Sequence, residues 1–137
     1  MICYFAYGSN MNLKQMKKRC PSAEFLKAVR LDEYMFVYDG YSSNRKGAVA
    51  NIVPKKDSHV FGALFQVNEN CLSQLDCFES CPSSYQRQKI KVKGNEGKDY
   101  EAWVYLRSPK KRGVPSIEYR CIVLEGGRDI ADCRRNI

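Results

Sequence analysis

A chain of 137 residues, 44% hydrophobic and 28% charged, has the length of one domain and the composition of a globular one, which excludes a disordered chain. No run of about 18 apolar residues exists, so neither a membrane-spanning helix nor a membrane partner is expected. The net charge of +8 favours small anions, and without an RNP-type, zinc-finger or helix-turn-helix pattern it does not point to nucleic acid.

In chain order, Met1 to Phe5 lacks a basic start and a cleavage site, and Ile2 to Tyr7 is an apolar and aromatic run that predicts a buried strand. Gly8-Ser9-Asn10 breaks it. Asn12 then caps a helix through Arg19, which Cys20-Pro21-Ser22 ends. Phe25 to Tyr38 holds one or two strands, and Asp39-Gly40 opens a polar loop through Arg45. Ala48 to Val53 and His59 to Val67 read as strands joined by a turn at Pro54-Lys55-Lys56-Asp57. Asn68 caps a helix to about Glu79. Tyr85 to Val92 and Tyr100 to Leu106 flank the hairpin signal Gly94-Asn95-Glu96-Gly97. After the basic loop Arg107 to Gly113, Ser116 caps a last helix for which Gly126 is a natural stop. Strands come in hairpin runs, which predicts one α+β domain over residues 1–137 with a mixed, mostly antiparallel, barrel-like sheet and a few flanking helices.

Seven cysteines are an odd number without a CxxC pair, and His59 is the single histidine. Neither a disulfide framework nor a zinc site is expected, and reduced thiols in a cytoplasm are the simpler reading.

Two features carry chemistry. A strand that runs into Gly8-Ser9-Asn10 and then a helix aims backbone N–H groups at one spot, which favours a carboxylate or an oxyanion. No GxGxxG or Gly-Lys-Ser/Thr accompanies it, so it is not a nucleotide loop, and by itself an ordinary strand-to-helix turn is the favoured reading. The second feature is Glu79. Cys71, Leu72, Leu75 and Phe78 form one apolar stripe, and Glu79 projects between Leu72 and Leu75 at the helix's negative end. Burial and the dipole both raise a carboxylate's pKa, which suits a general acid/base. The competing reading bends Glu79 to solvent or pairs it with Arg87, and the pattern alone does not choose. Asp76 reads as a solvated acid and Arg87 as a strand-surface residue.

Three motifs in order resemble the γ-glutamylcyclotransferase-like family. Tyr4-Phe5-Ala6-Tyr7-Gly8-Ser9-Asn10-Met11 resembles its N-terminal signature. Leu75-Asp76-Cys77-Phe78-Glu79 resembles its Leu-Asp-x-x-Glu segment, with Pro82, Tyr85 and Arg87 following as in many bacterial members. Pro115-Ser116-x-x-Tyr119 with Gly126 resembles its late segment. Together they span residues 4 to 127.

The resemblance implies a barrel-like α+β fold with an interior cavity. It implies an enzyme of the lyase or acyltransferase type that cleaves a γ-glutamyl amide by ring closure to 5-oxoproline and a free amine. Glu79 takes the catalytic acid/base position. Tyr4, Phe5, Ala6, Tyr7, Gly8, Ser9, Asn10 and Met11 hold the γ-glutamyl group, and Tyr119 lines the pocket. No metal or organic cofactor is expected, and the partner is a small-molecule γ-glutamyl substrate. Asn10 after Tyr-Gly-Ser argues against a glutathione-specific member. The sequence does not separate a monomer from a homodimer.

This chain departs from the family pattern at Ser80, where glycine is usual, at Gly127, where alanine is frequent, and in the tail Arg128 to Ile137. The first bears on the helix exit that aims Glu79. A non-catalytic small-molecule binding module on the same fold is the alternative. A cysteine hydrolase using Cys77 or Cys81 with His59 is a weaker one.

Overall fold

The apolar run at the start of the chain forms β1 (Ile2–Ala6), which is buried almost throughout and has a neighbour on each edge. It pairs antiparallel with β3 from Ile2↔Val67 to Ala6↔Ala63 and parallel with β5 at Tyr4↔Trp103. Both of its faces are covered, which is why it reads as an unbroken apolar segment. This computed structural model describes residues 1–81 and 83–135. Pro82 and the last two residues of the tail lie outside them.

Two long strands, β2 (Glu24–Ser42) and β3 (Gly47–Val67), form a hairpin from Glu24↔Gln66 to Ser42↔Gly47. β4 (Gln86–Lys93) and β5 (Asp99–Leu106) pair around the predicted turn. The order β1-β3-β2-β4-β5 closes into a barrel. Closure leaves no long free edge to protect.

The three predicted helix caps are in place. Asn12 accepts from the Gln15 N–H at 3.2 Å to start α1 (Leu13–Arg19). Asn68 accepts from Cys71 N–H at 2.8 Å to start α2 (Glu69–Phe78). Ser116 Oγ accepts from Tyr119 N–H at 3.2 Å at the start of α3 (Ile117–Arg135). A 3-10 turn, Ser9–Met11, joins β1 to α1.

Three expectations need correction. Asp39-Gly40 lies inside β2 and does not open a loop. The register slips between Asp39 and Ser42, Gly40 takes φ +65, and the 107–113 segment pairs alongside through Gly40 N–H to Lys111 O at 3.0 Å. A partner that arrives from about 70 residues away is invisible to local turn chemistry. The Pro54 to Asp57 turn is likewise a bulge within β3. Asp32 pairs with His59 and Tyr34 with Pro54, so the intervening residues of β3 bow out opposite Glu33, whose carboxylate accepts from Asp57 N–H at 3.0 Å. Proline is tolerated at such an interruption of the ladder.

Gly126, finally, does not stop α3, which runs on to Arg135. Its value is closeness. A Cβ there would lie 2.5 Å from Asn12 N and 2.7 Å from Met11 C, so α3 rests directly on the loop that follows β1. The Asn12 side chain also donates to Ile122 O at 3.2 Å. Intrinsic helix preference would favour alanine over glycine by about 1 kcal/mol, and the backbone contact outweighs it.

Helix α2 ends in a Schellman motif, with Cys81 N–H to Asp76 O at 2.9 Å and Ser80 N–H to Cys77 O at 3.1 Å. The motif needs a left-handed residue, and Ser80 supplies it at φ 52. The exit that glycine usually makes is therefore retained, at the cost of strain in a residue with a Cβ.

Two measurements of thermal stability test these readings. Gly126→Ala lowers the melting temperature, whereas Gly127→Ala, with nothing within 4 Å of the added carbon, raises stability by up to about 1 kcal/mol. Ser80→Gly raises stability by roughly 0.5–1 kcal/mol and leaves the backbone exit unchanged. Equal effects at the two helix glycines, or a destabilised Ser80→Gly, would contradict them.

Candidate active site

A cavity of about 630 Å³ opens where the loop after β1, the exit of α2 and the β2–β3 turn converge. From the first segment Tyr4, Tyr7, Gly8, Ser9 and Asn10 line it. Phe5, Ala6 and Met11 do not. They are buried in the core. Glu79 and Tyr119 also line the cavity. The structure thus brings together residues that stand about 70 and 110 positions apart in the chain.

The loop is held by side-chain amides. Asn10, 3% exposed, donates to Tyr4 Oη at 2.9 Å and accepts from Gln15 Nε2 at 2.9 Å and from Arg19 Nη1 at 3.2 Å. Gln15 Nε2 also donates to Ser9 Oγ at 2.8 Å, and Gln15 Oε1 accepts from Arg45 Nη2 at 2.9 Å. Met11 and Asn12 spend their N–H groups on Gly8 O and Ser9 O. The first N–H groups of such a turn, those of Ser9 and Asn10, have no acceptor within it. Gly8 sits where a Cβ would come within 3.0 Å of Ala50 Cβ and 3.8 Å of Tyr119 Oη, so glycine keeps the loop close to β3.

Four tyrosines surround this loop, and their hydrogen bonds fall into two classes. Tyr7 donates to Tyr105 O at 2.6 Å and Tyr85 donates to Ala50 O at 2.6 Å, so their protons are committed. Tyr4 accepts from Asn10, and Tyr119 accepts from Ala50 N–H at 3.1 Å, so each keeps its own O–H to donate. Burial pushes all four hydroxyls up in pKa. They remain neutral donors and acceptors rather than bases.

Glu79 caps α2 with φ −90 and ψ 0. Its backbone N–H still bonds Leu75 O at 2.9 Å, while its half-buried side chain lines the cavity. Desolvation raises its pKa, and the positive charges of Arg19, Arg45 and Arg107 pull against that rise without cancelling it. The buried stripe of α2 is Cys71, Leu72 and Leu75. Phe78 is instead 53% exposed at the cavity rim, with the Arg19 guanidinium 4.5 Å from its ring centroid.

Arg87 and Asp76 differ from expectation. They form an ion pair at 3.2 Å, and Asp76 also accepts from Tyr105 Oη at 2.6 Å. Asp76 is therefore a structural acceptor that fixes Tyr105, and Arg87 leaves Glu79 alone. The cysteine alternative finds no geometry, because Cys77, Cys81 and His59 are not among the lining residues.

Gln15, Arg19, Arg45 and Arg107 are lining residues that motif reading did not single out, and Tyr85, quoted there without a role, lines the cavity as well. Arg107 is anchored in the wall, where its Nη2 bonds Asp39 Oδ1 and, at 2.8 Å, Asp39 O. The only local signal for Arg19 and Arg45 was a position next to a predicted helix end or turn. Among the described residues, no cluster of His, Cys, Asp or Glu is arranged to hold a metal ion, and no helix is long and apolar enough to cross a membrane.

Comparison with known proteins agrees with the geometry. The family described as gamma-glutamyl cyclotransferase, AIG2-like, matches residues 4–121. Gamma-glutamylcyclotransferase of Mus musculus is 30% identical over 131 residues, covering 92% of this chain and 70% of that protein. Gamma-glutamylaminecyclotransferase A of Danio rerio is 44% identical over 59 residues, 41% of this chain and 36% of that one. A solved structure of a gamma-glutamyl cyclotransferase superposes with a TM-score of 0.90 at 28% identity, covering 94% of this chain and 79% of that one. The fold is shared with that structure, and the chain belongs to the gamma-glutamyl cyclotransferase, AIG2-like family.

Proposed function

We propose that the protein converts γ-glutamyl amides to 5-oxoproline and a free amine, with Glu79 moving both protons. The observation that carries this reading is a carboxylate of raised pKa inside a cavity built around the Gly8-Ser9-Asn10 turn.

The reaction is intramolecular, so the protein mainly has to hold one reactive conformer. The substrate's α-ammonium group, of ordinary pKa about 8, gives a proton to the Glu79 carboxylate. The freed amine attacks the γ-carbonyl carbon, and a carbon–nitrogen bond closes the five-membered ring. Negative charge collects on the carbonyl oxygen, for which the Tyr4 and Tyr119 hydroxyls and the Ser9 and Asn10 N–H groups are the available donors. As the intermediate collapses, the original amide bond breaks. The protonated Glu79 delivers its proton to the departing nitrogen, and the regenerated carboxylate takes the surplus proton from the ring nitrogen and passes it to the released amine, which leaves in its ammonium form. A raised carboxylate pKa narrows the gap to the ammonium group it must deprotonate and makes the acid form easier to hold for the second transfer.

A reducing cytoplasm is the compartment consistent with this reading, since Cys3, Cys20, Cys71, Cys77, Cys81 and Cys121 are all free.

A 5-oxoproline release assay on a panel of γ-glutamyl amides tests the proposal. Glu79→Gln is expected to lose about 10²- to 10⁴-fold in rate, and near-normal turnover by the folded variant would refute Glu79 as the proton carrier. Because burial disfavours the Glu79 charge, the same variant is expected to melt at or above the wild-type temperature at pH 7. The pH profile supplies a second check. The base form of Glu79 is needed, so kcat/KM falls on the acid side, with a midpoint above the ordinary carboxylate range of about 4.3. Arg19 lowers the Glu79 pKa, so Arg19→Met should move that midpoint upward. A midpoint that stays fixed or falls would contradict the assignment.

A further inference from the structure

Glu79 caps α2, so its position is set by whatever holds the last turn of that helix. The stripe Cys71, Leu72 and Leu75 buries α2 against the core, but apolar contact is non-directional and does not by itself fix the final turn. Phe78, the last residue of the helix, is exposed. The directional contact in that turn is made by Asp76, three residues before Glu79.

Both carboxylate oxygens of Asp76 are held, each from a different strand. Arg87 of β4 pairs with Oδ2 at 3.2 Å, and Tyr105 of β5 donates to Oδ1 at 2.6 Å. Arg87 and Tyr105 are direct partners across the β4–β5 ladder, so the sheet sets their spacing. Each arm is itself anchored. The Arg87 guanidinium lies 4.6 Å from the Trp103 ring centroid. The Tyr105 ring is buried and meets Tyr4 edge-on at 5.8 Å, and its hydroxyl also lies 3.3 Å from Leu72 O, one turn earlier in α2. Burial and the Asp76 carboxylate push that hydroxyl up in pKa, so it stays a donor.

Tyr105 also reaches the other half of the cavity, because its backbone O accepts from Tyr7 Oη at 2.6 Å. Its backbone thus holds the segment that carries the Gly8-Ser9-Asn10 turn, while its side chain holds the helix that carries Glu79. Asp76 itself is not among the lining residues.

We propose that Asp76 is a positioning residue: gripped by the Arg87–Tyr105 pair, it fixes the last turn of α2 and with it the reach of Glu79 into the cavity. It takes no part in proton transfer. The inference rests on the cyclotransferase reading.

The test measures 5-oxoproline release by wild type, Asp76→Ala, Asp76→Asn and Tyr105→Phe, on the panel member that wild type turns over fastest. Asp76→Ala is expected to lower kcat by about 10- to 100-fold, the scale for a misplacement of about 1 Å. KM should barely change, since the turn that holds the γ-glutamyl group is untouched. Asp76→Asn keeps an oxygen for Tyr105 and should retain part of the rate. Desolvation outweighs the pull of Arg19, Arg45 and Arg107 on Glu79, so a Glu79 that reaches solvent loses the larger effect. The acid-side midpoint should therefore fall in Asp76→Ala and also in Tyr105→Phe, which leaves the Asp76 charge in place. Adding Tyr105→Phe to Asp76→Ala should cost less than Tyr105→Phe alone, because both remove the same bond. Should Asp76→Ala not fold, the nearly isosteric Asp76→Asn and Tyr105→Phe carry the test. Unchanged kcat in the folded variants would overturn the inference. So would a lost rate with an unmoved midpoint, or fully additive losses, which would make Tyr105 act on substrate independently of Asp76. A wild type that releases no 5-oxoproline from any panel member would instead sink the cyclotransferase reading, and this inference with it.

Discussion

Asn10 and Gln15 are uncharged, yet the geometry of the site hangs on their two side-chain amides. Between them they bond Tyr4, Ser9, Arg19 and Arg45. Those residues come from β1, the 3-10 turn, α1 and the β2–β3 turn. Each bond adds only about 1 kcal/mol net, but a buried amide left unpaired costs roughly 1–3 kcal/mol. The alternatives to this arrangement are therefore penalised more than the arrangement itself is rewarded. The same segment is pressed from behind by α3, where Gly126 admits the backbone of Met11 and Asn12. The result is a loop fixed from two sides before any ligand arrives, which is what an intramolecular reaction asks of a protein.

Charge is distributed to the same end. The arginines of the cavity act on Glu79, but desolvation outweighs them and leaves its pKa raised. Their anchoring differs by task. Arg107 is neutralised by Asp39, which also accepts from Asn51 and from the Lys110 N–H, and that network ties the 107–113 segment to β2. Arg19 and Arg45 are held by amide oxygens and, among the described residues, form no ion pair. A carboxylate in place of Gln15 would bond Arg45 as well and would remove the field that acts on Glu79 and on any anionic substrate.

Much of this was legible in the sequence, and the parts that were not share a cause. The helix caps at Asn12, Asn68 and Ser116 were readable because capping is local chemistry. The β4–β5 hairpin was readable from its turn. Glu79 stood out because a carboxylate on an apolar helical stripe is locally anomalous. What misled was punctuation. Asp39-Gly40 and Pro54 to Asp57 carry turn residues, but long-range pairing absorbs them as bulges. Gly126 carries the mark of a helix end but serves a tertiary contact. Phe78 fits the stripe by spacing and yet is exposed, because the helix ends beside it. Arg19 and Arg45 were unreadable, since a lysine- and arginine-rich helix end and a polar turn look like solvated surface until the fold brings them beside Glu79. Ser80 departs from the family pattern in residue type but keeps its left-handed backbone.

The central claim is ring closure rather than hydrolysis, and the fate of water oxygen separates the two. A purified preparation turning over a γ-glutamyl amide in ¹⁸O-labelled water is predicted to yield 5-oxoproline and free amine in equal amounts, with no label in the product. Blocking the substrate's α-amino group should abolish turnover, because the internal nucleophile is gone. Release of ¹⁸O-labelled glutamate, or undiminished cleavage of the blocked substrate, would contradict the account.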